Sequence, residues 1–229
     1  MTTVYIISAP SGSGKSTLVN EVLKIVPGLE FSISYTTRPP RGSEKNGREY
    51  FFVPREEFEK MIREDEFLEY AEVFGNYYGT ARLFLQDAKE TGRDLLLDID
   101  VQGAAQIKSK IPDAVSIFVL PPDRNRLEER LRKRGQDAED VIQRRLATAA
   151  REIENYSKYD YILVNDRLEE SIEALKSILL AERHRRSGVQ RSADDSDMAR
   201  AEHCRLSNVR ERVQPILASF VTTAAPGGR

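Results

Sequence analysis

A glycine-rich turn near the N-terminus constrains the fold of this chain more than any other feature. The residues PSGSGKST, at positions 10–17, directly follow the apolar run VYIIS and precede a segment of helical period. A turn of this kind between a buried strand and a helix points successive backbone N–H groups into one hollow. The N-terminus of the helix adds partial positive charge there. The sequence therefore predicts a polyphosphate-binding loop in an α/β protein.

The residue types in this loop indicate how the phosphates would be held. Lys15 supplies a mobile ammonium for the β- and γ-phosphates, and the Ser16 hydroxyl is placed to ligate a magnesium ion that bridges them. The usual pattern, G-x-x-x-x-G-K-[ST], has its first glycine replaced by Ala9. The loop that we assign to the phosphates of ATP comprises Ala9, Pro10, Ser11, Gly12, Ser13, Gly14, Lys15, Ser16 and Thr17.

Apolar runs of strand length alternate with stretches of helical period, which is typical of βαβ units around a parallel sheet. The predicted strands are VYIIS, DLLLDI, VSIFVL and DYILV, with FSIS as a shorter fifth. The predicted helices lie at 15–26, 81–90, 104–110, 123–134, 138–156 and 168–185. We predict a three-layer α/β core with a parallel sheet of about five strands. The tail, 186–229, is predicted to be disordered or partly helical.

Composition excludes several other classes of protein. The 229 residues contain one cysteine, Cys204, so no internal disulfide can form, and two histidines, too few for a His-rich metal site. No apolar run approaches the roughly 20 residues that span a bilayer, and the N-terminus lacks the features of a secretory signal. A net charge of -2 gives no general attraction to nucleic acid. We expect a cytoplasmic protein with small-molecule partners. Whether it forms a homo-oligomer is left open by the sequence.

An acidic residue ends another predicted strand. Asp98 closes the run DLLLD, and the carboxyl ends of neighbouring parallel strands meet at one edge of the sheet. Asp98 could therefore hold the magnesium ion directly or through water. Strands also end in Asp simply to begin a turn, and that alternative stays open.

The interval 34–80 breaks the βαβ alternation and reads as an inserted lobe of short strands and turns around one helix, at 56–64. In TTRPPRG, two prolines restrict the backbone and carry Arg38 and Arg41 on a stiff extended turn. Two guanidinium groups held in this way suit a second anionic ligand. Tyr50 and Tyr78 could add phenolic donors to the same anion.

Six segments combine these features in one order: SAPSGSGKST, SYTTRPPRGSEKNGREYFFV, FLEYAEVFGNYYGT, DLLLDIDVQGA, RLRKRGQ and YILVND. Together they resemble the guanylate kinases, the nucleoside monophosphate kinases that phosphorylate GMP. The resemblance covers about residues 3–185. It implies a kinase domain at 1–185, with a core at 1–33 and 81–185, a GMP-binding insert at 34–80 and a helical lid at about 127–150.

The resemblance also implies roles for individual residues. Those implied to bind the GMP phosphate are Arg38, Arg41, Tyr50 and Tyr78. Those implied to recognise the guanine base are Ser34, Glu69, Thr80 and Asp100. Those implied to act on the transferred phosphate are Lys15, Arg38 and the lid arginines Arg130, Arg134 and Arg145. Tyr35 departs from relatives that often have a smaller or more polar residue there.

The chemistry of Glu69 supports its implied role. Guanine presents N1–H and a 2-amino group side by side, so one carboxylate can accept both, whereas adenine presents an N1 lone pair and no 2-amino group. A bidentate contact of this kind is worth about 1–3 kcal/mol. Ser34 and Thr80 can donate to the guanine O6. A solvated strand residue in EYAE is the alternative for Glu69.

The lid segment supplies a further cluster of cations. Arg130 and Arg134 are four residues apart and share a helix face, a mildly repulsive placement unless an anion lies between them. An ordinary surface of salt bridges to Glu128 and Glu129 is the alternative.

Three other functions stay open. The sequence DVQG, at 100–103, fits the D-x-x-G of a GTPase, but N-K-x-D is absent from the sequence. A P-loop kinase for AMP or a pyrimidine nucleotide would share the core. A guanylate-kinase-like interaction module would bind partners without catalysis, although such modules usually have a degraded phosphate loop. The predicted reaction is MgATP + GMP giving ADP + GDP, with dGMP as a second acceptor.

Overall fold

The protein is described from a computed structural model that covers residues 2–73, 75–133, 138–187 and 196–221. The elements are, in chain order, β1 (Val4–Ser8), α1 (Lys15–Ile25), β2 (Leu29–Ser32), β3 (Tyr35–Thr36), β4 (Phe51–Phe52), α2 (Arg55–Arg63), β5 (Phe67–Val73), β6 (Asn76–Ala81), α3 (Arg82–Thr91), β7 (Asp94–Asp98), α4 (Val101–Lys110), β8 (Val115–Leu120), α5 (Arg124–Lys133), α6 (Glu139–Ile153), β9 (Tyr161–Val164), α7 (Leu168–Ser187), α8 (Ser196–Cys204) and α9 (Leu206–Phe220). A short 3-10 helix, Glu154–Lys158, follows α6.

The chain forms two compact units. The first unit comprises Met1–Ser8 and Val26–Ser116, and the second comprises Ala9–Ile25 and Ile117–Arg229. The five parallel strands predicted from the sequence are present, so the α/β fold class is confirmed. The predicted division into core, insert and lid stays a prediction.

In the first unit, β2, β7 and β1 are parallel neighbours in that order, with Leu29 opposite Asp94 and Val4 opposite Leu95. Every residue of β1 is buried, as are the first four of β7. Continuous burial explains why these strands are apolar throughout rather than alternating.

The inserted lobe contains a second, smaller sheet with strand order β4-β3-β6-β5. Helix α2 packs on it through Phe58 and Met61, which form a buried cluster with Phe67. The Phe58 ring stacks on Phe67, with centroids 4.4 Å apart. Tyr35 stacks on Phe51 at 4.8 Å, so this departure from the family pattern contributes to lobe packing.

In the second unit, β8 and β9 pair in parallel, with Ile117 opposite Tyr161. Helix α1 packs on α7, and α5 packs on α6. The tail was predicted to be disordered or partly helical, and its described part, 196–221, forms α8 and α9. These two helices bury Ala201, Val209, Val213 and Phe220. None of the helices in the described ranges is both long and apolar enough to cross a membrane.

Candidate functional site

The phosphate loop has the backbone geometry that its glycines allow. Gly12 and Gly14 have φ of +94° and +88°, in the left-handed region that glycine adopts without strain. The Ser13 N–H donates to the Pro10 carbonyl at 3.1 Å, and the Leu18 N–H donates to the Gly14 carbonyl at 3.2 Å, where α1 begins. Lys15 is half-buried at the first position of α1. The loop therefore leads directly into a helix N-terminus, which favours bound anions.

Two other residues of the second unit, Asn165 and Arg130, form hydrogen bonds to this loop. The Asn165 side chain donates from Nδ2 to the Ser13 carbonyl at 2.7 Å. Arg130, on α5, donates from Nη2 to the Asn165 carbonyl at 2.9 Å and from Nη1 to the Ser13 carbonyl at 3.4 Å. A Cβ atom at Gly14 would lie only 2.4 Å from Asn165 Nδ2. The guanidinium of Arg130 is therefore anchored at the phosphate loop, and Gly14 is required for both φ and space.

No role for Asn165 was predicted from the sequence. It follows β9 directly, in the segment YILVND, and a polar residue at the carboxyl end of a parallel strand was the available signal. Of the other two lid arginines, Arg145 is half-buried on α6. Arg134 lies outside the described residues.

The two predicted magnesium ligands belong to different units. The Ser16 side chain is exposed on the first turn of α1, and Asp98 is half-buried as the last residue of β7. Hydroxyl and carboxylate oxygens are ligands that Mg²⁺ prefers, and it usually binds through one or two such groups together with substrate phosphates and water. Among the described residues there is no group of three or more His, Cys, Asp or Glu that could hold a metal. Each of these donors, within its own unit, is thus of the kind that binds an ion held largely by a nucleotide.

A buried arginine lies at the centre of the second predicted anion site, in the first unit. Arg38 is only 6% exposed, and its guanidinium carbon lies 5.3 Å from the centroid of the Tyr50 ring and 5.7 Å from that of Phe52. It makes a bidentate ion pair with Glu44, at 2.9 and 3.0 Å. Glu44 also accepts the backbone N–H of Arg41 at 2.7 Å. One carboxylate thus engages the turn that carries both predicted phosphate-binding arginines.

Glu44 was not among the predicted site residues, which in this turn were only cations and tyrosines. The hydrogen bond from Arg38 lowers the pKa of Glu44, so the carboxylate stays ionised at neutral pH. Its two oxygens accept from Nη1 and Nη2, along one edge of the guanidinium. Arg38 thus already binds one carboxylate in a bidentate geometry, which also suits phosphate oxygens.

The two tyrosines predicted for the anion lie together beside Arg38. The Tyr50 and Tyr78 rings meet edge to face, with centroids 5.9 Å apart, and both residues are half-buried. Burial raises the pKa of Tyr50 to about 12, and the charge of Asp98 contributes to this rise. Tyr50 therefore keeps its proton and can donate to an anion.

The lobe also buries a carboxylate on β5. Glu69 is only 4% exposed, and Thr80, on the neighbouring strand β6, donates to its Oε1 at 2.6 Å. Burial raises the pKa of Glu69 to about 7, with a further contribution from the charge of Asp100. The solvated alternative for Glu69 is therefore wrong. The Thr80 hydroxyl proton, which we predicted could donate to guanine O6, is directed at Glu69 instead.

The other two predicted base-reading residues are also placed in this unit. Ser34 is buried, between β2 and β3. Asp100 caps α4, where its Oδ1 accepts the backbone N–H groups of Gln102 at 3.1 Å and Gly103 at 2.8 Å. A Cβ atom at Gly103 would lie 2.4 Å from Glu69 Oε2. This close approach is a third feature, after Asn165 and Glu44, that the linear sequence did not reveal.

The fold is that of a P-loop protein, and it carries a glycine-rich loop at a helix N-terminus together with a lobe that buries Arg38 and Glu69. The family model described as guanylate kinase matches residues 1–182. The chain belongs to the guanylate kinase family, so the resemblance seen in the sequence is confirmed.

Individual relatives agree with this assignment. The chain is 60% identical over 228 residues to the guanylate kinase of Koribacter versatilis (strain Ellin345), covering 98% of both chains. It is 51% identical over 194 residues to the guanylate kinase of Escherichia coli (strain K12), covering 84% of this chain and 94% of that one. A crystal structure of guanylate kinase from Anaplasma phagocytophilum has a TM-score of 0.67 and 37% identity, and the match covers 79% of this chain and 86% of that one.

Proposed function

We propose that the protein transfers the γ-phosphate of MgATP to GMP, giving ADP and GDP, and that dGMP is a second acceptor. The observation that carries this proposal is the buried Glu69 carboxylate on the lobe that also holds the Arg38 anion site. None of the proposed contacts requires the 2′-hydroxyl of the acceptor, which is why the deoxynucleotide is included.

The base is selected by complementarity to Glu69. An ionised carboxylate accepts both N1–H and the 2-amino group of guanine, whereas adenine would leave it facing a lone pair. A buried charge without a donor is destabilising, so burial increases the penalty for the wrong base. Ser34, Thr80 and Asp100 complete the proposed base site.

The phosphate of GMP is bound by the same lobe, at Arg38. We infer that it replaces the carboxylate of Glu44 on Arg38, since both anions suit the same bidentate geometry. Arg41, Tyr50 and Tyr78 supply the remaining proposed donors. The Glu44 carboxylate keeps Arg38 oriented until the phosphate arrives.

The transfer step needs positioning more than acid–base chemistry. The acceptor phosphate is mostly dianionic near neutral pH, because its second pKa is about 6, so an oxygen of GMP attacks the γ-phosphorus without a general base. The bond from that phosphorus to the β–γ bridging oxygen breaks, and ADP leaves. Lys15 and Arg130, with Arg134 and Arg145 of the lid, stabilise the charge on the transferred group.

Magnesium, when bound with ATP, neutralises charge on the β- and γ-phosphates, and Ser16 and Asp98 are the residues that would hold it. The same proposal includes the core, insert and lid boundaries predicted from the sequence. It also includes a cytoplasmic location, where ATP is supplied, and nucleotides rather than nucleic acids or membranes as partners.

A coupled assay of ADP release with GMP, dGMP, AMP, UMP and dTMP tests the proposal. We expect the largest kcat/KM with GMP and a measurable value with dGMP. A preference for AMP or a pyrimidine nucleotide would assign a different monophosphate kinase. The absence of turnover with every acceptor would favour a non-catalytic interaction module.

A further inference from the structure

Helix α4 contacts β5 at three consecutive strand residues. The Lys110 ammonium donates to the carbonyl of Leu68. The Gln106 side chain donates from Nε2 to the carbonyl of Tyr70 at 2.7 Å, and its Oε1 accepts the Tyr70 N–H at 3.3 Å. These contacts hold the backbone on both sides of Glu69.

The side chains that make these contacts share one face of α4. Positions 103, 106 and 110 are spaced by three and four residues, so they lie in one row along the helix. Strand β5 is at the edge of the small sheet, and no strand among the described residues pairs with its outward backbone groups. The primary amide of Gln106 supplies the donor and acceptor that such a strand would otherwise provide.

Glu69, which lies between Leu68 and Tyr70 in the strand, approaches α4 at Gly103. A Cβ atom there would lie 2.4 Å from Glu69 Oε2 and 3.0 Å from Cδ, closer than packed atoms come. Gly103 has no positive φ, so the close approach and not the backbone conformation requires glycine. Glycine is less favourable than alanine within a helix, so Gly103 makes α4 less stable than alanine would. It does, however, allow the Glu69 carboxylate to lie close to the helix.

We propose that Gly103, Gln106 and Lys110 of α4 are positioning residues that set the Glu69 carboxylate for the two N–H donors of guanine. Gln106 and Lys110 fix the strand on either side, Thr80 fixes one carboxylate oxygen, and Gly103 leaves space for the other. The inference rests on the proposed function, since it assigns to α4 the selectivity for guanine. It also explains why an edge strand can carry the base-reading residue.

The test compares Gly103→Ala and Gln106→Ala with Ser109→Ala, an exposed position on the same helix. The acceptors are GMP and IMP, because IMP lacks only the 2-amino group, and kcat/KM is measured for each together with the KM for ATP. We expect Gly103→Ala to reduce the GMP/IMP ratio about tenfold, which corresponds to about 1.4 kcal/mol. Gln106→Ala should reduce it severalfold. Ser109→Ala should leave the ratio unchanged, and the KM for ATP should be unchanged in all three variants.

A second measurement separates positioning from general damage. In a Glu69→Ala background, Gly103→Ala should produce no further loss of the GMP/IMP ratio, because the side chain that the new methyl group would displace is already gone. If Gly103→Ala does not fold, an unchanged ratio in folded Gln106→Ala overturns the inference. Wild-type protein without a preference for GMP would overturn the proposed function and this inference with it. A wild-type preference that both variants retain would overturn this inference alone.

Discussion

The phosphate loop and the inserted lobe offer anions different kinds of site. The loop offers backbone N–H groups and the N-terminus of α1, and its two positive-φ glycines allow this geometry. The lobe offers side chains from separate segments, with Arg38 and Glu69 both largely buried. A backbone site is encoded by a short contiguous motif, whereas a side-chain site depends on tertiary packing.

The two regions also differ in how charge is held. In the lobe, the guanidinium of Arg38 is satisfied by the Glu44 carboxylate, and Glu69 is buried beside the hydroxyl of Thr80. At the loop, Arg130 is held by two backbone carbonyls. Carbonyls orient a guanidinium without cancelling its charge, so Arg130 keeps its full attraction for phosphate.

Among the substitutions that test this contrast between loop and lobe, the largest effect is expected at Lys15 of the loop. Lys15→Met should reduce kcat by at least roughly 100- to 1000-fold, the range for removing one donor to the charge of a transition state. The fold should persist, since Lys15 is only half-buried. Steady-state kinetics measures kcat, and circular dichroism measures whether the fold persists. Lys24→Met, at an exposed position of the same helix, is the matched control. Normal turnover in Lys15→Met would contradict the role of the loop.

The corresponding substitution in the lobe should act on selectivity. Glu69→Gln should reduce the ratio of kcat/KM for GMP over AMP by roughly 10- to 100-fold, because a bidentate base contact is worth about 1–3 kcal/mol. The KM for ATP should not change. Glu72→Gln, at an exposed position of the same strand, serves as the control. An unchanged GMP/AMP ratio would show that base reading lies elsewhere in the lobe.

A glycine substitution would show how strictly the backbone cradle depends on its geometry. Gly14→Ala combines a positive φ with a Cβ only 2.4 Å from Asn165 Nδ2. We expect a loss of roughly 1–3 kcal/mol in the free energy of unfolding and weaker ATP binding. Gly92→Ala has a similar φ of +67° with open space around its Cβ, so it isolates the cost of backbone strain. Equal losses in the two variants would mean that contact with Asn165 does not matter.

The smallest expected effect is a pH dependence confined to the lobe. Burial raises the pKa of Glu69 to about 7, and only the ionised form accepts both guanine donors. The KM for GMP should therefore fall by about tenfold in total from pH 6 to pH 8, while the KM for ATP changes less. Titration of the GMP phosphate is common to wild type and Glu69→Gln, so the difference between their pH profiles isolates the carboxylate. Identical profiles would contradict the prediction.

The raised pKa of Glu69 also makes the free energy of unfolding depend on pH. Between the ordinary pKa of 4.5 and the raised value of about 7, the folded protein binds the Glu69 proton more strongly than the unfolded chain does. The contribution of this group to the free energy of unfolding should therefore decrease as pH rises through that range, by at most about 1.4 kcal/mol per pH unit. Urea unfolding of the protein without nucleotide measures this slope, and Glu69→Gln should remove it.

The sequence by itself determined the parts whose chemistry is contiguous. The run PSGSGKST, with VYIIS before it, specifies strand, turn and helix within a few residues. DLLLD and VSIFVL read as buried parallel strands because their apolar residues run without alternation, as in strands covered on both faces. The order of motifs was sufficient to identify the family.

Only the tertiary structure decided which distant residues complete each site. Asn165 is 152 positions from Ser13 in the chain, yet it holds that residue's carbonyl. Gly103 adjoins Glu69 through the packing of α4 on β5. The ordered helices α8 and α9 were equally hidden, since Pro215 interrupts the hydrogen-bonding pattern of α9 and its apolar residues are explained only by burial. Close approach and burial depend on contacts between segments that are far apart in the chain. The local sequence pattern of either segment therefore does not predict them.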